Sequence, residues 1–326
     1  MIRYIIRRLF YAIPILIGVN VITFTLFFVV NTPDDMARMQ LGVKRVTPEA
    51  IERWKQERGY DKPLLYNAAV PGFGHVSDTI FFEHSTRLFR FDFGRAESDG
   101  RDIGHEIATR MGPSLAIALP VFIVGLLAYV TFALLMALFR ATYLDVSGVI
   151  LCVTAMSISG MFYIIGGQFL VAKLWNLVPI SGFADGLNAW RFMILPIAVG
   201  LVGGFGESGR WYRSIFLEEV NRDYVRTARA KGLAEGRVLA HHVLRNALIP
   251  ILTGVVVVIP SLFLGSLVME SFFGIPGLGS YTIDAIGSQD FAVVRTMVFL
   301  GSLLYIAGLI LTDISYTIVD PRIRFE

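Results

Sequence analysis

Charge is scarce in this chain of 326 residues: Asp, Glu, Lys and Arg make up only 17% of it, against about a quarter in soluble domains. Cysteine is nearly absent, and the lone Cys152 excludes an internal disulfide and any cysteine-built zinc cage. None of the five lysines, Lys44, Lys55, Lys62, Lys173 and Lys231, follows a glycine, so the chain has no G-x-x-x-x-G-K-[ST] phosphate loop. Internal repeats and low-complexity tracts are also missing. What remains is 55% hydrophobic with a mean hydropathy of +0.62, which excludes a disordered, collagenous or ordinary water-soluble chain and points to a membrane protein.

A hydrocarbon core about 30 Å thick needs roughly 20 apolar residues at helical rise. Charge-free runs near that length occupy residues 9–30, 111–139, 146–172, 247–269 and 296–312, the last continuing through 318. A sixth run, 192–206, is short, and reaches span length only if its helix continues through Glu207 and Arg210. The first run follows Arg3, Arg7 and Arg8, as in a secretory signal, but it exceeds a typical signal core, and Asn31-Thr-Pro-Asp-Asp offers no small-residue cleavage site. It reads as a retained first helix.

Lys and Arg set the orientation. With both termini in the cytoplasm, the cytoplasmic segments carry fourteen of them, namely Arg3, Arg7, Arg8, Arg140, Arg322, Arg324 and eight from Arg210 to Arg245. The two short outer loops carry only Lys173, Arg191 and Arg295. Twelve more lie in the long segment 31–110, whose length exempts it from the rule. The expected fold is therefore all-α and polytopic, with six spans. Its pieces are a first helix (1–30), an extracytoplasmic segment (31–110), a five-helix core (111–319) holding a cytoplasmic loop (215–246), and a cytoplasmic tail (320–326).

Within the outer segment, Thr47-Pro-Glu reads as an N-cap, a first-turn proline and a first-turn acid. Gly59 closes that helix, which presents Ile51 and Trp54 on one side. Farther on, Leu88-Phe-Arg-Phe-Asp-Phe-Gly94 alternates apolar and polar residues, the pattern of a strand or of a segment lying on the membrane surface.

The loop between the fourth and fifth spans is too polar for lipid, holds more basic residues than any other short loop, and has Gly232 placed to end a short helix. Charge alone fits a solvated loop. The order of residues goes further: Arg226-Thr-Ala-Arg-Ala-Lys-Gly232 and His242-Val-Leu-Arg-Asn-Ala-Leu-Ile-Pro250 resemble the coupling loop of ATP-binding-cassette importer permeases, usually written E-A-A-x-x-x-G. Arg226 and Thr227 depart from the generic Glu-Ala. The run from Tyr224 to Leu233 is nonetheless similar to the B-type subunits of oligopeptide and dipeptide permeases. So are Ile5-Ile-Arg-Arg-Leu-Phe-Tyr-Ala-Ile-Pro14, Asp61-Lys-Pro-Leu-Leu65, Phe91-Asp-Phe-Gly94, Gly265-Ser-Leu-Val-Met-Glu-Ser-Phe-Phe-Gly-Ile-Pro-Gly-Leu-Gly279, Asp290-Phe-Ala-Val-Val294 and Asp313-Ile-Ser-Tyr-Thr-Ile-Val-Asp-Pro-Arg322, in order along nearly the whole chain. The Phe-Asp-Phe-Gly and Asp-Pro-Arg-Ile pieces look most like the branch handling peptides related to microcins and cell-wall fragments.

The resemblance implies a type I importer permease in the bacterial inner membrane, forming half of a peptide path and catalysing no bond change. It implies a second permease of the same fold, an extracytoplasmic substrate-binding protein, and a separate ATPase holding ATP and Mg²⁺; no cofactor on this chain and no nucleic-acid partner are expected. Nickel or oligosaccharide is the alternative cargo. Tyr224, Val225 and Ala228 are expected to face the ATPase, with Arg226, Arg229 and Lys231 as a charged rim, Thr227 within the motif and Gly232 as the turn.

Three other features compete. Gly206-Glu-Ser-Gly209 matches the G-x-S-G of intramembrane serine proteases, but such chemistry needs a histidine on a neighbouring span, and His75, His84, His105, His241 and His242 all fall outside the spans. Gly200, Gly203, Gly204 and Gly206 read instead as close helix packing. His75, His84 and His105 lack the tight spacing of metal ligands. Glu207 and Arg210, three apart, are placed to pair at the inner boundary, and Asp313 to anchor the end of the last span rather than relay protons. Pro14, Pro120, Pro196 and Pro260 fall within spans, where kinks are tolerated. Phe273-Gly-Ile-Pro-Gly-Leu-Gly279 reads as a structured outer turn.

Overall fold

The computed structural model describes residues 2–42, 47–184 and 186–319. Lys44 and the 320–326 tail with Arg322 and Arg324 lie outside the described residues, as does the side chain of Arg3. The helices run α1 (Ile2–Phe24, prolonged as a π-helix over Thr25–Val30), α2 (Pro33–Leu41), α3 (Pro48–Arg58), α4 (Gly74–Ser77), α5 (Ile80–Phe89), α6 (Ile103–Leu138), α7 (Tyr143–Ser157) and α8 (Gly160–Gly167, prolonged over Gln168–Leu174). They continue with α9 (Ala189–Val220), α10 (Asp223–Ala230), α11 (Glu235–Val238), α12 (Leu244–Val258), α13 (Leu267–Phe273), α14 (Leu278–Gly287) and α15 (Phe291–Val319). Among the described residues the only β-pairing is an isolated bridge between Arg95 and Asp102, so the fold is all-α.

Five helical stretches are long and apolar enough to cross a membrane: Ile6–Val30, Ile103–Leu138, Ala189–Val220, Glu235–Leu264 and Phe291–Ser315. Their most apolar windows are only 22–33% buried within the chain, so most of that surface needs lipid or another protein against it. α9 does run on through Glu207 and Arg210, giving the short fourth run its span length.

Two expected spans differ. Residues 146–172 are not one straight helix: α7 and the α8 stretch meet at an 87° bend around Ile158 and Ser159. Ser157-Ile-Ser-Gly160 explains the break, because serine hydroxyls compete for backbone partners and glycine is a poor helix former. If the bent pair counts as one crossing, the total is six. The run 247–269 ends early, at Leu264, because Gly265 has φ +69° and ψ −176°, which no helix accommodates.

The described chain divides into two compact units, one of Ile2–Arg110 with Tyr281–Ile306, the other of Met111–Ser280 with the described residues from Ala307 onward. In the first, Phe24, Phe27 and Phe28 of the opening span pack with Met36, Ile51, Trp54, Tyr60 and Ile80. α3 starts and stops where its caps dictate: Thr47 accepts from the Ala50 N–H at 3.4 Å, and Gly59 closes the helix at φ +70°.

Leu88 to Gly94 is neither strand nor surface segment. Leu88 and Phe89 end α5, and the chain turns through Phe91 at φ +61°, with Phe91 N–H on Leu88 O and Asp92 N–H on Arg87 O, both at 3.0 Å. This is a Schellman end with phenylalanine where glycine is usual. Three alternating aromatics therefore mimic a strand without forming one.

In the second unit α9 packs against α7, α8 and α12. Small residues permit it: a Cβ on Gly206 would meet Cys152 O at 2.6 Å, one on Gly200 would meet Val121 Cγ2 at 2.9 Å, and one on Gly204 would meet Tyr129 Oη at 3.0 Å. Gly203 is different, since its nearest neighbour would be Tyr163 at an ordinary 3.9 Å.

Candidate coupling helix and membrane cavity

α10 carries the motif loop. Its first turn holds Asp223 and its last holds Arg229, both favourable to the helix dipole. Gly232 ends it at φ +78°, donating to Arg229 O at 2.9 Å, while Leu233 N–H reaches Ala228 O at 3.4 Å, again a Schellman end. No atom would lie within 4 Å of a Cβ on Gly232, so the glycine is required by backbone conformation rather than by crowding.

The facing of α10 corrects the expected contact surface. Val225 and Ala228 are buried, packed with Phe216, Val220, Val238, Leu239 and Val243 of the same unit, so they anchor the helix to its own chain. An amphipathic helix must bury its apolar stripe somewhere, and here the nearest apolar surface is internal. The outward side is Asp223, Arg226, Thr227 and Ala230, flanked by Tyr224 and Lys231. Arg229 is not a free rim charge either: it grips Glu235 with two hydrogen bonds, one from Nε at 3.0 Å, which raises its own pKa and holds the Glu235 carboxyl below the usual range. Tyr224 donates to Glu219, and partial burial together with that carboxylate pushes its hydroxyl up to about 12. Arg222 pairs with Glu218 at 2.7 Å.

A cavity of about 380 Å³ opens in the same unit. Its wall comes from α6 (Ser114, Val121, Tyr129), α9 (Gly200, Gly204, Ser208, Tyr212) and the broken end of the fifth span (Ser261, Gly265, Glu270). Glu270 is buried and accepts from the backbone N–H of Ser266 at 3.0 Å, Gly279 at 2.7 Å and Ser280 at 3.2 Å. Ser114 Oγ accepts from Leu278 N–H at 2.8 Å. The glycine-rich run is thus a turn wrapped around one carboxylate: a Cβ would meet Glu270 Oε1 at 2.0 Å from Gly265 and Oε2 at 2.2 Å from Gly277. Only the outer-turn character of this run was legible; the role of Glu270 was not, although an acid inside an apolar stretch was the available signal.

Ser208 of the G-x-S-G match faces this cavity, and no histidine lines it. His75 holds Asn67 O at 2.8 Å and stacks on Tyr66, His84 lies between Phe28 and Tyr60, and His105 sits in the first turn of α6. Among the described residues no three His, Cys, Asp or Glu side chains gather as metal ligands. Glu207 and Arg210 form no ion pair among the described residues; Arg210 approaches Met156 Sδ at 3.9 Å, and the ion pair of this region joins Asp145 to Arg213.

Comparison with known proteins bears on the same segments. Residues 106–325 match the family model described as binding-protein-dependent transport system inner membrane component, and residues 1–76 match the model of the N-terminal region of such membrane components. The chain is 32% identical over 327 residues to a protein of Brucella abortus (strain 2308) named as a peptide transport system permease protein, covering 99% of both chains. It is 31% identical over 330 residues to the glutathione transport system permease protein GsiC of Salmonella choleraesuis and of Salmonella typhi, covering the whole of each chain.

Proposed function

This chain belongs to the binding-protein-dependent transport system inner membrane components, and from that premise we propose that it is one of two permease subunits of an ATP-driven peptide importer. The observation that carries this reading is α10: a short helix outside the apolar spans, locked inward by Val225 and Ala228, closed by Gly232, and presenting Asp223, Arg226, Thr227 and Ala230 outward. A helix fixed to the spans on one side and exposed on the other transmits a push as a rigid body. The partner pushing on it is a separate ATPase that binds ATP and Mg²⁺, since this sequence has no phosphate loop of its own.

The cavity walled by Ser114, Tyr129, Ser208 and Tyr212 is this subunit's share of the path. Hydroxyls and apolar walls, with the Glu270 carboxylate saturated by backbone donors, suit a cargo of varied side chains better than a metal ion. Peptides are the cargo favoured by the relatives' names. Both termini and α10 face the cytoplasm, and the first unit's small helices face outward to meet the binding protein.

Purification in mild detergent, with every associated chain identified, tests the assignment. One ATPase set, one related permease and one binding protein are expected. A complex lacking any ATPase overturns it, and a binding protein that takes nickel or oligosaccharide instead of peptide overturns the cargo.

A further inference from the structure

The unit of Ile2–Arg110 with Tyr281–Ile306 holds a second cavity, of about 460 Å³. Two charged side chains in its wall are almost wholly buried, Glu97 at 8% exposed and Arg295 at 6%. Each is incompletely satisfied. Glu97 Oε1 accepts from Tyr60 Oη at 2.7 Å while Oε2 has no partner; Arg295 reaches His84 Nδ1 at 3.4 Å and lies over the Phe28 ring at 5.1 Å while its Nε has none.

Nothing in the wall neutralises Arg295. Burial lowers the His84 pKa to about 2, so that imidazole is neutral and offers only a lone pair. Tyr60 is held neutral by burial, and no carboxylate among the described residues forms an ion pair with Arg295. A guanidinium keeps its charge in any protein environment, and an uncompensated buried charge is strongly unfavourable. Burial likewise pushes the Glu97 carboxyl upward, because no cation is close enough to pair with it. The cavity therefore presents one buried acceptor wanting a cationic donor and one buried cation wanting an anionic acceptor.

We infer that this cavity binds a small zwitterion, an α-amino acid or the equivalent end group of a short peptide, with its ammonium on Glu97 Oε2 and its carboxylate on Arg295 Nε. A carboxylate alone would leave Glu97 unmet, and an amine alone would leave Arg295 unmet. The site lies wholly within the outer unit and does not depend on the proposed path or its cargo.

Equilibrium binding of labelled alanine to the full-length protein in lipid nanodiscs tests it, alongside N-acetylalanine, which lacks the ammonium, and alaninamide, which lacks the carboxylate. Saturable binding of alanine at or below about 10 mM is expected, each analogue binding at least tenfold more weakly, the range in which a lost ionic contact is resolved. Glu97→Gln should weaken alanine binding at least tenfold while affecting N-acetylalanine little, and Arg295→Lys should do the converse with alaninamide. Equal binding of all three compounds, or binding of none, overturns the inference and leaves water as the occupant; both outcomes are read on the unaltered protein, so they do not hinge on how a variant folds.

Discussion

Arg213 donates to Asp145 twice, from Nε to Oδ1 and from Nη2 to Oδ2, each at 2.8 Å. The same carboxylate accepts from Ala141 N–H at 3.2 Å, so one acid fixes the turn before α7 and ties α7 to α9. Its side chain is almost fully buried, and the planar guanidinium matches it along both oxygens. Removing one partner leaves the other charge stranded, at a cost of about 2–4 kcal/mol. Asp145→Asn and Arg213→Gln should each lower the melting temperature of the detergent-purified protein, and the double variant should lose less than the two singles combined. Strict additivity would show that the pair is not coupled.

Gly232 makes a cleaner case, because space is not the issue. The residue sits at φ +78° with open surroundings, so any cost is backbone strain, about 1–2 kcal/mol for a side chain in the left-handed region. Gly232→Val should reduce uptake sharply while the protein still inserts. Gly232→Asn should be far milder, since asparagine tolerates that region. Uptake equally impaired in both would mean that something other than φ requires the glycine.

The Glu270 turn combines strain with crowding. Gly265→Ala would put a methyl 2.0 Å from Glu270 Oε1, a carboxylate already held by three backbone donors, at a φ that disfavours alanine. A loss of about 2–4 kcal/mol is expected from overpacking and strain together. Glu270→Gln keeps the shape and loses only charge-assisted strength, about 1–2 kcal/mol. Thermal melts should rank them in that order, and the reverse order would mean that the turn relaxes around the added methyl.

The sequence announces what depends on local pattern and conceals what depends on pairing at a distance. Thr47, Pro48 and Gly59 mark α3 because caps act within four residues, and charge-free length marks the spans because lipid imposes one thickness. Arg213 is 68 positions from Asp145, so spacing suggested Glu207 with Arg210 instead. Glu97 and Arg295 carry no local signal at all. The bend at Ile158 hides inside an apolar run because hydropathy ignores serine's competition for backbone partners. In α10 the motif gave position and end correctly, but an apolar stripe looks the same whether it faces a partner or its own core.

That ambiguity yields the sharpest test of coupling. Ala228 is buried among Phe216, Val225 and Val238, whereas Ala230 is exposed on the outward side two positions on. Ala228→Trp forces a large ring into a packed interior, so the chain itself should suffer, with a lower melting temperature and less protein in the membrane. Ala230→Trp adds the same ring where nothing of this chain meets it. Melting and membrane levels should stay unchanged, while uptake is abolished and the ATPase either fails to copurify or no longer responds to loaded binding protein. Thr227→Trp, on the same side, should behave like Ala230→Trp. A charge reversal at Arg226 should act more weakly, since exposed rim charges are screened by salt. Normal uptake with normal substrate-stimulated ATP hydrolysis in the Ala230→Trp protein would show that the outward face of α10 touches no ATPase.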